Sequence, residues 1–407
     1  MSEMTSRERV LTALRHEEPD RVPVDFGGMR STGIALQAYV RLKEFLGYKK
    51  SRPRLYDLMQ WLAEPEEPML QRLGGDVVQL HRYQPTFGIA IDEWRQWKTP
   101  DGIPCLVPAE FRPARNKQGE WEVRENGRVI AKMPADGHWF DQVYFPLAEA
   151  NTFSDIDRFE IPKVTDAEVN YLRREAKRLH DETNFAILGA FGANLLEGGH
   201  FDWGYQKFMT VLSENCALAE YYLDRLTESH IECLRRYLPA VKNYIQVIQV
   251  GDDLGMQTGP QISPQMYREI FKPRHSRIYH FIKQNSDLFV FLHTCGSVYA
   301  LIPDLIEAGV DIFNPVQIGA AGMEPARLKR EFGRHLVFWG GGCDTQTTLL
   351  RGSVADVQQE VKKLIGIFAP GGGFVFTQVH NILREIPPEK IIVMYDAARQ
   401  YGRYPIM

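Results

Sequence analysis

Eight short runs rich in Val, Ile, Leu and Phe recur along this 407-residue chain, at 22–26, 77–81 (VVQLH), 185–191 (FAILGAF), 245–251 (IQVIQVG), 289–295 (FVFLHTC), 311–316 (DIFNPV), 336–341 (LVFWGG) and 373–379 (GFVFTQV). Each is apolar at consecutive positions rather than at alternate ones, the pattern of a strand covered on both faces. Between them lie stretches with apolar residues at helical spacing, among them 264–284, 298–308 and 354–368. Strands alternating with helices in this number predict a parallel sheet closed as a (β/α)8 TIM barrel. An open doubly wound sheet is the alternative. FGGMRSTG, after the first run, matches the GxGxxG turn poorly, which disfavours a dinucleotide cofactor.

Residues 86–145 break the rhythm. They alternate, hold Trp94, Trp97, Trp121 and Trp139, and contain ENGR, whose Asn126-Gly127 pair marks a hairpin turn. They predict a β-rich insertion after the second strand of a single domain spanning 1–407. It could lie over the barrel mouth, make a homodimer contact, or be an inert decoration. At the start, Thr5-Ser6-Arg7-Glu8 forms a capping box before VLTALRH, predicting a short first helix.

A net charge of -4 on this length gives no sign of a polyanion partner, so nucleic acid is not expected. The charged N-terminus lacks an apolar leader core and no run is long enough to span a bilayer, so a cytoplasmic protein without a membrane partner is expected. Five cysteines scattered along the chain argue against a disulfide framework and leave metal binding or core packing as their uses.

Chemistry is most concentrated at the end of the fifth run. Side chains alternate along a strand, so Phe289, Phe291, His293 and Cys295 share one face. If that face is the barrel interior, two zinc-type ligands point inward at the carboxyl rim, where barrel enzymes place catalytic groups. The other reading is a hydrogen-bonded histidine beside a packed cysteine. Zinc requires a third protein ligand. The eighth run supplies His380 at its own carboxyl end, and WGGGCD after the seventh offers Cys343 as a reserve. Asp253 and Glu197 are candidate catalytic carboxyls at strand ends, while Arg30, Asp76, His81 and His200 are candidate substrate contacts. His275 and His280 fall in a helical stretch, which predicts surface or packing roles.

Five stretches carry a family resemblance: ERVLTALRHEEPDRVPV at 8–24, GDDLGMQTGPQISPQMYREIFKPRH at 251–275, FLHTCGSV at 291–298, GGGCDTQTTL at 340–349 and GGGFVFTQVHNILREIPPEKI at 371–391. Through them the chain resembles the uroporphyrinogen decarboxylase superfamily over essentially its whole length, and within it the zinc-dependent, corrinoid-linked methyltransferases. That branch holds zinc with His-x-Cys and a later cysteine, which falls where this chain has His380. The founding decarboxylase instead carries a Met-Arg-Gln-Ala-Gly-Arg loop for its acidic substrate and requires no metal. Here the loop reads GGMRSTGI and keeps only Met29-Arg30. The resemblance implies a zinc methyltransferase moving a methyl group between a small-molecule donor or acceptor and a corrinoid (cobalamin). The Asp-x-His-x-x-Gly signature of a cobalamin module is absent, which implies a separate corrinoid protein as partner. A decarboxylase of the founding type and a metal-free binding protein on the same barrel are the alternatives.

Overall fold

Seven of the eight apolar runs pair in chain order as one curled parallel sheet: Val77–Leu80, Ala186–Gly192, Val247–Gly251, Phe289–His293, Ile312–Asn314, Val337–Trp339 and Phe374–Val375. This computed structural model describes residues 3–48 and 51–406. Residues 22–26 close the ring as its first stave. Val24 bridges Phe376, the Phe376 N–H donates to the Pro23 carbonyl, and the Asp76 N–H donates to the Val24 carbonyl. The result is the (β/α)8 arrangement rather than an open doubly wound sheet.

The ring has two cores. Val77, Ala186, Leu188, Val247, Phe291, Ile312, Val337, Trp339 and Val375 turn inward and fill the lumen, joined by Met29 and by Val10 and Leu14 of the first helix. That helix, Ser6–Leu14, begins at the Thr5–Glu8 capping box and plugs the barrel from below. The alternate residues, such as Ile187, Ile248, Val290, Leu292 and Phe313, pack outward under the crossover helices. Every stave is therefore apolar at successive positions because each of its faces meets a core. On the fifth stave, parity places Phe289 and Phe291 inside, and so directs His293 inward at the rim.

The insertion holds an antiparallel pair, Trp94–Lys98 with Pro104–Pro108, and a four-stranded antiparallel sheet running Ala114–Arg115, Trp121–Glu125, Arg128–Met133 and Asp141–Gln142. Asn126 and Gly127 both adopt positive φ (49° and 79°), so Glu125 pairs with Arg128 across a two-residue turn of the I′ kind. The insertion is fastened beside the barrel mouth. The Phe140 N–H donates to the Met59 carbonyl at 2.9 Å, and Gln142 Nε2 to the Phe201 carbonyl at 2.7 Å. Among the described residues, no helix is long and apolar enough to cross a membrane.

Candidate metal centre

His293 closes the fifth stave, Cys295 follows two residues later, and His380 lies beyond the eighth stave on the far side of the lumen. Their donor atoms lie within 4.8 Å of one another, with Cys295 Sγ 3.4 Å from His293 Nε2. Bond lengths of about 2.0–2.3 Å at a tetrahedral zinc require ligand spacings of about 3.3–3.6 Å. The Cys295–His293 spacing of 3.4 Å already meets this, and His380 lies within 4.8 Å of both. Nδ1 of His293 is bound by Asn314 Oδ1 at 2.7 Å, which leaves Nε2 facing the group, where the Ser31 hydroxyl also reaches it at 3.3 Å.

Electrostatics suit a cation. Burial, with His293 alongside, pushes the His380 imidazole down to about 4, so it is neutral with a free lone pair. Burial and the Asp253 and Glu197 carboxyls push the Cys295 thiol well up, so a thiolate forms there only with a cation to hold it. Two imidazole nitrogens, one sulfur and an open side toward a cavity fit a catalytic zinc centre, and His293, Cys295 and His380 would hold the ion.

The cavity above the group has a volume of about 300 Å3, and His81, Arg30, Asp253 and Glu197 all line it. Asp253 is fixed by the Cys295 N–H, which donates to Oδ1 at 2.8 Å, and is one-third exposed. Glu197 accepts from Asn194 Nδ2, and burial beside Asp253 and Asp252 raises its carboxyl to about 8, so it is largely protonated at neutral pH. Arg30 pairs with Asp57 at 2.6 Å. His81 packs against Tyr56 with ring centres 4.3 Å apart and the planes tilted by 42°.

Two sequence expectations are corrected by position. Asp76 lies at the amino-terminal end of its stave, fully buried. It pairs with Arg9 and Arg21, each at 2.7 Å, and accepts from Ser6 Oγ and the Val24 N–H. It clamps the barrel floor and lies outside the lining of the cavity. His200 turns away from the cavity to pack against Tyr205, ring centres 4.7 Å apart, because its face of helix Leu196–Trp203 meets the next helix. Cys343 is buried outside the donor group, beside Glu360. His280 is exposed, whereas His275 is fully buried and bonds Asp252 at 3.1 Å. Asp252 in turn accepts from the Leu196 and Glu197 N–H groups, which orients the helix that carries Glu197.

Several cavity residues went unpredicted. Ser31 adjoins the anticipated Arg30. Gln79 and Gln249 point inward by strand parity, a signal that the alternation of their staves contained. Arg82 follows His81 but is occupied by Glu168 (3.1 Å) and the Phe191 carbonyl (2.9 Å).

Residues 143–401 match the family model for uroporphyrinogen decarboxylase (URO-D). The chain belongs to the URO-D family. Family relatives include the uroporphyrinogen decarboxylase of Citrifermentans bemidjiense, 24% identical over 265 residues covering 62% of this chain and 71% of that protein. The enzyme of the same name from Geobacter sulfurreducens is 23% identical over 290 residues, 68% of this chain and 78% of its own. A solved methyltransferase from Methanosarcina mazei superposes with a TM-score of 0.57 over 98% of this URO-D chain and 99% of its own, at 19% identity, a likeness of fold.

Proposed function

We propose that this URO-D family member is a zinc-dependent methyltransferase that moves a methyl group between a small substrate and a corrinoid carried on a separate protein. The observation that carries the reading is the convergence of His293, Cys295 and His380 within 4.8 Å at the cavity floor, a donor set without use in a metal-free decarboxylase. When bound, zinc supplies Lewis acidity to the heteroatom that loses or gains the methyl group. The chain's residues do the rest. Transfer away from the substrate leaves an electron pair on that heteroatom, and Glu197, kept protonated by its burial, can hold the proton the pair takes up. Asp253 anchors the Cys295 backbone.

Charge disfavours the decarboxylase alternative. The cavity presents the carboxyls of Asp57, Glu197 and Asp253, while the guanidiniums of Arg30 and Arg82 are already engaged with Asp57 and Glu168. A substrate with eight carboxylates would bring in more negative charge than this lining can pair. The test combines metal analysis with cob(I)alamin methylation, followed by visible absorbance with methylated aromatic, amine and thiol candidates in turn. About one zinc per chain and transfer lost in His293→Ala are expected. Conversion of uroporphyrinogen to coproporphyrinogen, abolished by Arg30→Ala and indifferent to His293→Ala, would overturn the proposal. A protein that holds no metal under reducing, chelator-free handling would point to the metal-free binding alternative.

A further inference from the structure

Asn314 ends the sixth stave, next to His293 in the parallel register, and is fully buried. Its amide can face only one way. Nδ2 donates to the main-chain carbonyl of Trp339 at 2.8 Å, and a carbonyl can only accept, so the other end of the amide facing His293 must be the oxygen. That oxygen lies 2.7 Å from His293 Nδ1 and can only accept in its turn. Nδ1 therefore carries a ring proton, which in the neutral tautomer puts the lone pair on Nε2, 3.4 Å from Cys295 Sγ and 3.3 Å from the Ser31 hydroxyl.

The surroundings hold this amide in place from three staves. Its own carbonyl accepts the Thr294 N–H at 2.7 Å, tying it to the segment between the two ligands. Gly340, at φ +107°, turns the chain just after Trp339, and a Cβ there would come within 3.3 Å of Asn314 Nδ2. The Trp339 indole is fixed from the other side by donating to Asp25 Oδ2 at 2.8 Å. No water competes for a fully buried amide, so the two hydrogen bonds set the imidazole's rotation as well as its tautomer.

We infer that Asn314 is a positioning residue that locks His293 in the Nδ1–H tautomer and thereby makes Nε2 a metal ligand. The inference rests on the proposed metal centre for its consequence, but the tautomer itself can be read without metal. Being neutral, the amide orients the ligand without adding negative charge, so a centre with one thiolate retains net positive charge and its pull on a heteroatom.

The experiment uses the full chain labelled with nitrogen-15 at histidine, with the His293 signals assigned by loss in His293→Gln. In the metal-free protein, wild type is expected to show a protonated Nδ1 and an unprotonated Nε2. Asn314→Leu should lose that pattern, and Asn314→Asp, which keeps an acceptor in place, should retain it. Competition against a chromogenic chelator should then show zinc affinity falling 10–100-fold in Asn314→Ala and within a few-fold of wild type in Asn314→Asp. Cobalt(II) substituted for zinc gives a thiolate absorption band that should shift in Asn314→Ala, a change that loss of stability alone would not produce. An unchanged tautomer in Asn314→Leu, or equal zinc affinity in wild type and Asn314→Ala, would overturn the inference. Wild type that binds no zinc but shows the locked tautomer would instead sink the metal centre and leave the positioning role of Asn314 standing.

Discussion

The two ends of the barrel each bury a polar cluster, and the clusters differ in what they leave over. At the floor, the Asp76 carboxylate is met by Arg9, Arg21, Ser6 and the Val24 N–H, so it has no acceptor capacity to spare. At the rim, His293, Cys295 and His380 bring three ligand-type atoms within 4.8 Å of one another, and the Ser31 hydroxyl meets them only loosely, at 3.3 Å from His293 Nε2. Closure of every hydrogen bond marks a group that holds the fold. Convergent donors with few and long hydrogen bonds mark one that can take up a ligand.

The largest expected effect lies at the floor. Asp76→Ala removes the buried carboxylate shared by Arg9 and Arg21, leaving Arg9 paired with Asp20 alone, and should cost about 3 kcal/mol of stability in denaturant titration, with zinc stoichiometry unchanged in the protein that remains folded. At the rim the contrast reverses. His293→Ala or Cys295→Ser should weaken zinc binding by about a hundredfold or more, since each removes one of three ligands, while the unfolding midpoint of the chelated protein moves little. Equal stability losses at both ends would erase the distinction.

A third, smaller effect comes from Glu197. Its folded-state carboxyl, raised to about 8, binds a proton that the unfolded chain releases near 4.5. The associated stability is fully present below about 4.5 and is lost as pH rises toward and through 8. Glu197→Gln removes this slope, so the midpoint difference between pH 6 and pH 9 should shrink in the variant. A slope unchanged by the substitution would show that the carboxyl is not held protonated. Smallest of all, Cys343→Ser should leave zinc affinity within about twofold of wild type, because that thiol lies outside the donor group. A steep loss would place the third ligand on the seventh stave.

The sequence made the ring legible because each stave is apolar on both faces, and strand parity alone put His293 and Cys295 on one side. Position along a stave was also readable but was read too generously for Asp76. It precedes its strand, at the end of a barrel where polar groups serve stability. His200 misled because, three residues from Glu197 on one helix, it shares that residue's chemistry but packs on Tyr205. Asn314 carried no signal at all. Asparagine before proline is an ordinary turn pair, and its meaning lies in the register between the fifth and sixth staves, which no local pattern encodes.

The donor group joins residues 293 and 380 across the lumen, and that separation has a consequence for biosynthesis. As the chain leaves the ribosome, His293 and Cys295 appear with only two donors between them, while His380 follows after the sixth, seventh and eighth staves have been made. Three of the eight βα units must be in place before the site exists. A metal would therefore be captured only at the end of assembly, when Phe376 meets Pro23 and the ring is shut. Were zinc the bound ion, a loaded molecule would be one whose ring had already closed.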